Sequence, residues 1–477
     1  MTDKQRLQMN NEALQEIKEQ LAKITISIGE KKQGVEIALP SVFASATDVY
    51  YMQVTDDKIL LGCNVNDSGL WLYIISEKSL KQLHTSGRNW AYFQQVRENK
   101  WLIGNSSYSG ILLFNTSDDS CEKIYLGSFS ARHFQQVNEN KFLIGASGAG
   151  GVVLYNAEDN SCTLLFKEGG FWQYFHKASD TCFLISASSG ASNNEGILVY
   201  KSEDDSCVRL FNQGNAWRYS QQVSSNKCLI SGSSIDGTYP LLLFNADNIT
   251  FTTIHTGTTV NYFNKVSDTK WLLTSTSSGL GIVIYNSEND SISQIYSEGK
   301  HWIYLQQVSE NKWLINPSTS GDARGVLLYN SEDDSLIQLY NQGYNYRHFY
   351  QVNKTKWLLS SDTANLPILL CNVDTDNCTS VYTRGYQWQY YYKVSDKKIL
   401  ITGISENYPG VLLYNEEDDS CASIYSKGWC LDTISQESED SYYLFGSDKI
   451  KTPYKLRYTV STNKIELIGY YCTEVNL

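Results

Sequence analysis

Proline, methionine and histidine are scarce in this sequence, at 6, 3 and 6 among 477 residues. No apolar run approaches the roughly 18–20 residues of a membrane-spanning helix, so insertion by helices is not expected. The opening, MTDKQRLQMNNEALQ, lacks the apolar stretch of a secretory signal, which points to assembly in a cytoplasm. Basic residues are in deficit, 39 Lys and Arg against 51 Asp and Glu, and the net charge of −12 repels phosphate backbones. Nucleic acid is therefore not an expected partner. The histidines (His84, His133, His176, His255, His301 and His348) are scattered and form no metal or nucleophile motif, so neither metal nor cofactor is expected. No Cys-x-x-Cys pair exists, and eleven cysteines, an odd number, cannot all pair within one chain.

What is abundant is aromatic: 34 Tyr, 16 Phe and 11 Trp, a composition that favours strands over helices. Five cysteines (Cys121, Cys162, Cys207, Cys378 and Cys421) occupy one recurring slot that holds Ile292 or Leu336 in other places. A slot that accepts Cys, Ile or Leu reads as a small buried apolar position with reduced thiols.

The slot recurs because the chain is a repeat array. WAYFQQVRENKWLIGNSSYSGILLFNTSDDSCEKIYLG from Trp90 returns as WIYLQQVSENKWLINPSTSGDARGVLLYNSEDDSLIQLYNQG from Trp302. The central apolar residue of the unit falls at Val54, Val96, Val137, Ala178, Val223, Val266, Val308, Val352 and Val394, spaced by 41 to 45 residues. A weaker tenth copy follows. Glycines at Gly87, Gly127, Gly169, Gly214, Gly257, Gly299, Gly343, Gly385 and Gly428 close the copies, at turns expected to need positive φ. Each copy shows four strand-like runs, in the second Trp90–Val96, Lys100–Ile103, Ile111–Asn115 and Cys121–Tyr125. Between the third and fourth runs lies a turn rich in acids, such as Asn330–Ser335, whose carboxylates read as solvated turn residues; it lacks the glycine and bidentate glutamate of a calcium loop.

Four antiparallel strands in about 42 residues is the size of a β-propeller blade, so the expected fold is all-β, a β-propeller of ten four-stranded blades over residues 49–477. A single ring is favoured, because ITFTTIHTGTTVNYFNKV leads from the fifth copy to the sixth without a linker. Two five-bladed rings are the alternative. They are hinted at by RHF shared between copies three and eight (Arg132–Phe134, Arg347–Phe349) and WQY between four and nine (Trp172–Tyr174, Trp388–Tyr390).

The first 48 residues differ. Leu7, Asn10, Leu14, Ile17, Leu21 and Ile24 step by three and four, an a/d seam that predicts a helix over residues 1–28, followed by a linker over 29–48, although Ile24–Ile28 also alternates like a short strand. The seam either forms a trimeric coiled coil or packs the helix on the propeller.

Candidate binding residues follow the closing glycines: an aromatic slot at Trp90, Trp172, Trp217, Trp302, Tyr346 and Trp388, with Arg132, Arg218 and Arg347 close by. Aromatic planes beside guanidinium and amide groups suit sugar rings; the competing reading makes the aromatics wedges between blades. The loops NSSYSG, SASSGASNNEG and NPSTSGDARG vary in length on the same expected face. No catalytic residues stand out, since a paired-carboxylate glycosidase would need two acids from distant copies and nothing selects them.

The copies resemble propeller blades, without the GH…WD signature of WD40 repeats and without kelch features. The opening MTDKQRLQMNNEALQEIKEQLAKI resembles the N-termini of tail-associated virion proteins of phages and prophages of Gram-positive bacteria. That resemblance implies a non-enzymatic virion component, attached to other tail proteins through its N-terminal helix and displaying the propeller toward a cell-surface glycan. An intracellular scaffold that binds a protein is the alternative function, and a glycan-cleaving enzyme a third.

Overall fold

The computed structural model describes residues 23–470, apart from 29–32, 40, 107–109, 127–128, 147–149, 169, 189–195, 213–214, 234–239, 258, 276–279, 299–300, 319–324, 364–365, 384–386, 404–409, 427–429 and 448–452. Ten four-stranded antiparallel sheets follow one another, each a meander in chain order. In the second sheet the strands are Trp90–Arg97, Lys100–Asn105, Ile111–Asn115 and Ser120–Tyr125, the spans the sequence pattern predicts to within two residues. The tenth copy forms a full sheet as well, Cys430–Ser438 to Lys464–Tyr470.

The middle strands are apolar without interruption because both of their faces are covered. Leu102, Ile111 and Leu113 pack against Phe142, Ile144 and Val153 of the third sheet. Alternate residues Trp101, Ile103, Leu112 and Phe114 pack against Leu60, Leu70 and Leu72 of the first. The period-two alternation of a strand thus sends one set of side chains to each neighbouring sheet. Within each unit, first strands of neighbouring sheets lie beside one another, and fourth strands likewise.

The chain divides into two compact units, Met1–Thr238 with Leu242–Thr252, and Thr253–Leu477 with Tyr239–Leu241. The division falls in the last strand of the fifth sheet, Thr250–His255, and so leaves five sheets to each unit. The ten-blade count stands, whereas one compact body of ten does not describe the chain.

The N-terminal expectation needs correcting. Lys23–Ile28 is a strand paired antiparallel with Gln33–Ala38, with Ile24 opposite Ile37. Ile24 therefore belongs to a hairpin, in keeping with its alternation with Thr25 and Ser27, and residues 29–48 are more than a linker. Ile37, Leu39 and Phe43 cover the apolar face of the first sheet formed by Ile59, Leu61 and Tyr73. The other seam residues (Leu7, Asn10, Leu14, Ile17 and Leu21) lie outside the described residues. Among the closing glycines, Gly87, Gly257 and Gly343 are described, with φ of 82°, 121° and 76° as expected.

The acidic turns do more than face water. Their last acid sits at positive φ, 54° at Asp119, 58° at Asp334 and 54° at Asp419. It accepts from a lysine that opens the second strand of the preceding sheet: Lys58–Asp119 at 2.6 Å, Lys141–Asp205 at 2.7 Å, Lys270–Asp334 and Lys312–Asp376 at 2.8 Å, Lys356–Asp419 at 2.7 Å. A tyrosine hydroxyl from the acid's own third strand donates to the same carboxylate, as Tyr329 does to Asp334 and Tyr414 to Asp419, both at 2.7 Å. The acid before it closes the turn, accepting from a serine amide at 3.0 Å in Asp118–Ser120 and Asp333–Ser335.

Reduced thiols are a second expectation to correct. Cys371 stands directly opposite Cys378 and is disulfide-bonded to it. In other sheets the position of Cys371 is aromatic (Phe114, Tyr155, Tyr329, Tyr414), so among the described residues two thiols meet across the ladder in the eighth sheet alone. In the same slot burial pushes the thiols of Cys121, Cys162, Cys207 and Cys421 up to about 12, where they are inert at neutral pH.

Candidate functional site

The aromatic slot is a wedge between sheets. Trp90, Trp172, Trp217, Trp302 and Tyr346 are fully buried, and Trp388 is 4% exposed. Each meets, edge to face, an aromatic ring at the end of the preceding sheet's fourth strand: His84–Trp90, Phe166–Trp172, Phe211–Trp217, Tyr296–Trp302, Tyr340–Tyr346 and Tyr382–Trp388, with ring centroids 5.3 to 6.5 Å apart. The indole N–H groups of Trp90, Trp172 and Trp302 donate to the carbonyls of Ser86, Glu168 and Glu298, each at 3.1 Å. These rings hold sheet to sheet and offer no face to a sugar. The variable loops lie largely outside the described residues.

A different arrangement follows one residue later. The ladder slips after the wedge, between Trp90 and Tyr92, Ala131 and His133, Trp172 and Tyr174, Tyr346 and His348, and Trp388 and Tyr390. The residue in the slip is Ala91, Arg132, Gln173, Arg347 or Gln389, and such a bulge re-aims its side chain. In the first unit a cavity of about 510 Å³ opens along the first strands of sheets one to four. Tyr51, Tyr92, Phe93, Phe134 and Phe175 supply rings to its wall, and Gln94, Gln135, Gln173, His133 and Arg132 supply polar groups. The amides of Gln94 and Gln135 are steadied by donating to the carbonyls of Gln95 and Gln136 at 2.8 and 2.9 Å.

The cavity's charge comes from one side chain, Arg132, and no Asp or Glu is among its lining residues. Nε of Arg132 is buried without a hydrogen-bond partner among the described residues. Burial, and next the Arg132 guanidinium, hold His133 below the usual imidazole range, while a hydrogen bond with Gln173 opposes them. His133 is accordingly neutral at pH 7.

The predicted arginines fare differently from one another. Arg132 lines the cavity. Arg218 is exposed, its guanidinium 6.0 Å from the ring of Tyr174. Arg347 pairs with Asp362, which also accepts from His348 at 2.6 Å and from Gln389 at 3.0 Å. Apart from Arg132 and its neighbour His133, the sequence reading missed the cavity residues between wedge and central valine, although Tyr92, Gln94 and Gln135 sit in columns as repetitive as the wedge itself.

No family model matches the chain, and no curated protein matches it. Among solved structures it is similar to the extracellular domain of a putative one component system from B. thetaiotaomicron, at 10% identity over 94% of this chain and 74% of that one, with a TM-score of 0.29. The extracellular domain of a putative hybrid two component system from the same organism gives 12%, 90%, 65% and 0.27. The tricorn protease gives 10%, 90%, 59% and 0.22. Likeness at this level extends to neither activity nor ligand.

Proposed function

We propose that the chain is a non-enzymatic binding module that recognises a cell-surface glycan through the cavity along its first four sheets. The supporting observation is the lining of that cavity: ring faces alternate with amides, an imidazole and a guanidinium along four adjacent strands. Sugars are held in this way, by stacking on aromatic rings and by bidentate polar groups at their rims. A virion tail as the place of display rests on the opening sequence, with the N-terminal seam as attachment or trimerisation segment.

The test is a glycan array probed with the intact protein and with Tyr92→Ala and Gln135→Ala variants, which leave the buried wedge untouched. Each substitution is expected to weaken binding about tenfold without lowering the melting temperature. Uniform silence of the array, together with capture of a protein ligand that is indifferent to both substitutions, would replace this reading by the scaffold.

A further inference from the structure

We infer that the cavity of the first unit receives a carboxylate, and that the glycan it takes is an acidic one, an oligosaccharide bearing uronic or sialic acid. The inference rests on the glycan reading above and deepens it. Its basis is a comparison of the two halves of the chain. In the eighth and ninth sheets Arg347, His348 and Gln389 converge on a carboxylate built into the protein, Asp362, whose side chain is only 11% exposed. In the third and fourth sheets Arg132, His133 and Gln173 occupy the same three positions. The wedge residue before each pair faces the equivalent partner, Ala131 opposite Ala146 and Tyr346 opposite Ser361, with the same slip after it. Asp362 directly follows Ser361; the residue after Ala146 in the sequence, Ser147, carries no charge and lies outside the described residues. The donor set is therefore duplicated, while no Asp or Glu is among the residues that line the cavity of the first half.

The donors of the first half behave as a set lacking its acceptor. Arg132 has a buried Nε without a partner among the described residues, and Gln173 bonds to His133, whereas its counterpart Gln389 bonds to the acid. A guanidinium with an imidazole and a carboxamide beside it is a carboxylate clamp, as the second half demonstrates with its own residue. The first half has, in addition, a cavity wide enough to bring that carboxylate in on a ligand, with rings in its wall.

The experiment titrates the full chain with uronide and sialoside oligosaccharides, each paired with its carboxyl-reduced counterpart. The acidic member of a pair is expected to bind roughly tenfold to a hundredfold more tightly, the range of a charge-assisted bond. Arg132→Gln should erase that difference. Its melting temperature should be unchanged, which shows that the fold is intact. Asp362→Ser, in the other half, should leave the preference as it is. Equal binding of acidic and reduced members would overturn the carboxylate while the glycan reading survives. Absence of binding to either member, and to neutral glycans, would overturn both. Binding of an acidic peptide in place of any sugar, lost in Arg132→Gln, would overturn the sugar.

Discussion

A carboxylate at positive φ normally marks a turn and nothing else, yet Asp334 has three tasks. It takes the left-handed turn position, accepts the hydroxyl of Tyr329 in its own sheet and binds Lys270 of the sheet before. Asparagine occupies the same position at Asn160, which accepts from Tyr155 at 3.1 Å and from Lys100 at 2.9 Å, so a neutral amide preserves the geometry. Asp334→Asn is therefore expected to cost about 1 kcal/mol in urea unfolding, since a half-exposed ion pair is partly screened by solvent. Asp334→Ala should cost about 1 kcal/mol more, because alanine lacks the local bonding that eases the left-handed turn. Equal losses would mean that the backbone conformation contributes nothing. Acidification reports on a second residue. Half-buried His176 has Nε2 at 3.2 Å from the Trp217 carbonyl, and desolvation holds its pKa below the ordinary value. The unfolded chain then takes up a proton, near pH 6.5, before the folded one does, so stability present above that pH is lost as pH falls toward the folded-state pKa. Urea midpoints measured from pH 7.5 to 5 should fall, and His176→Gln should flatten the slope.

At the scale of the element, the wedge decides how two sheets meet. Trp302 lies between Ile282 and Ile284 of the sixth sheet and Ile315 and Leu327 of the seventh. Truncation to alanine should leave a cavity between sheets and cost about 3–5 kcal/mol, read from the denaturation midpoint. Trp302→Tyr should cost much less, because Tyr346 fills the same slot one sheet later. The strands and the wedge were legible in the sequence because a core position must recur in every copy, and Trp90, Trp172 and Trp302 recur at almost fixed spacing. What was illegible is relational. The register slip that re-aims Arg132, the lysine that reaches 64 positions along the chain from Lys270 to Asp334, and the thiol of Cys371 facing Cys378 all depend on which residues stand opposite one another. Composition and spacing carry no such pairing. Ile24 was ambiguous for a different reason: it fits both the three-four steps of the seam and the two-step alternation of Ile24–Ile28, and the strand won.

For the whole molecule, the arrangement of cores sets how far a disturbance travels. Apolar clusters join a sheet to its successor: first to second, second to third and third to fourth in one unit, sixth to seventh, seventh to eighth and eighth to ninth in the other. The lysine clasps obey the same rule, each reaching the next sheet and no farther. Stability in such an array is a sum of intrinsic and nearest-neighbour terms, and local opening is confined to the sheets that share the damaged interface. Trp302→Ala should accordingly raise amide hydrogen exchange in Ile282–Asn286 and Val326–Asn330, the apolar third strands on either side of the new cavity. Val152–Asn156 and Ile197–Lys201, third strands of the third and fourth sheets, should keep their wild-type protection. Trp172→Ala should give the converse pattern, since Trp172 packs with Leu143, Val152, Ile185 and Leu198 of those same sheets. A loss of protection that spreads evenly over all ten sheets from either substitution would mean that the chain opens as one cooperative body, and the nearest-neighbour account would then be wrong.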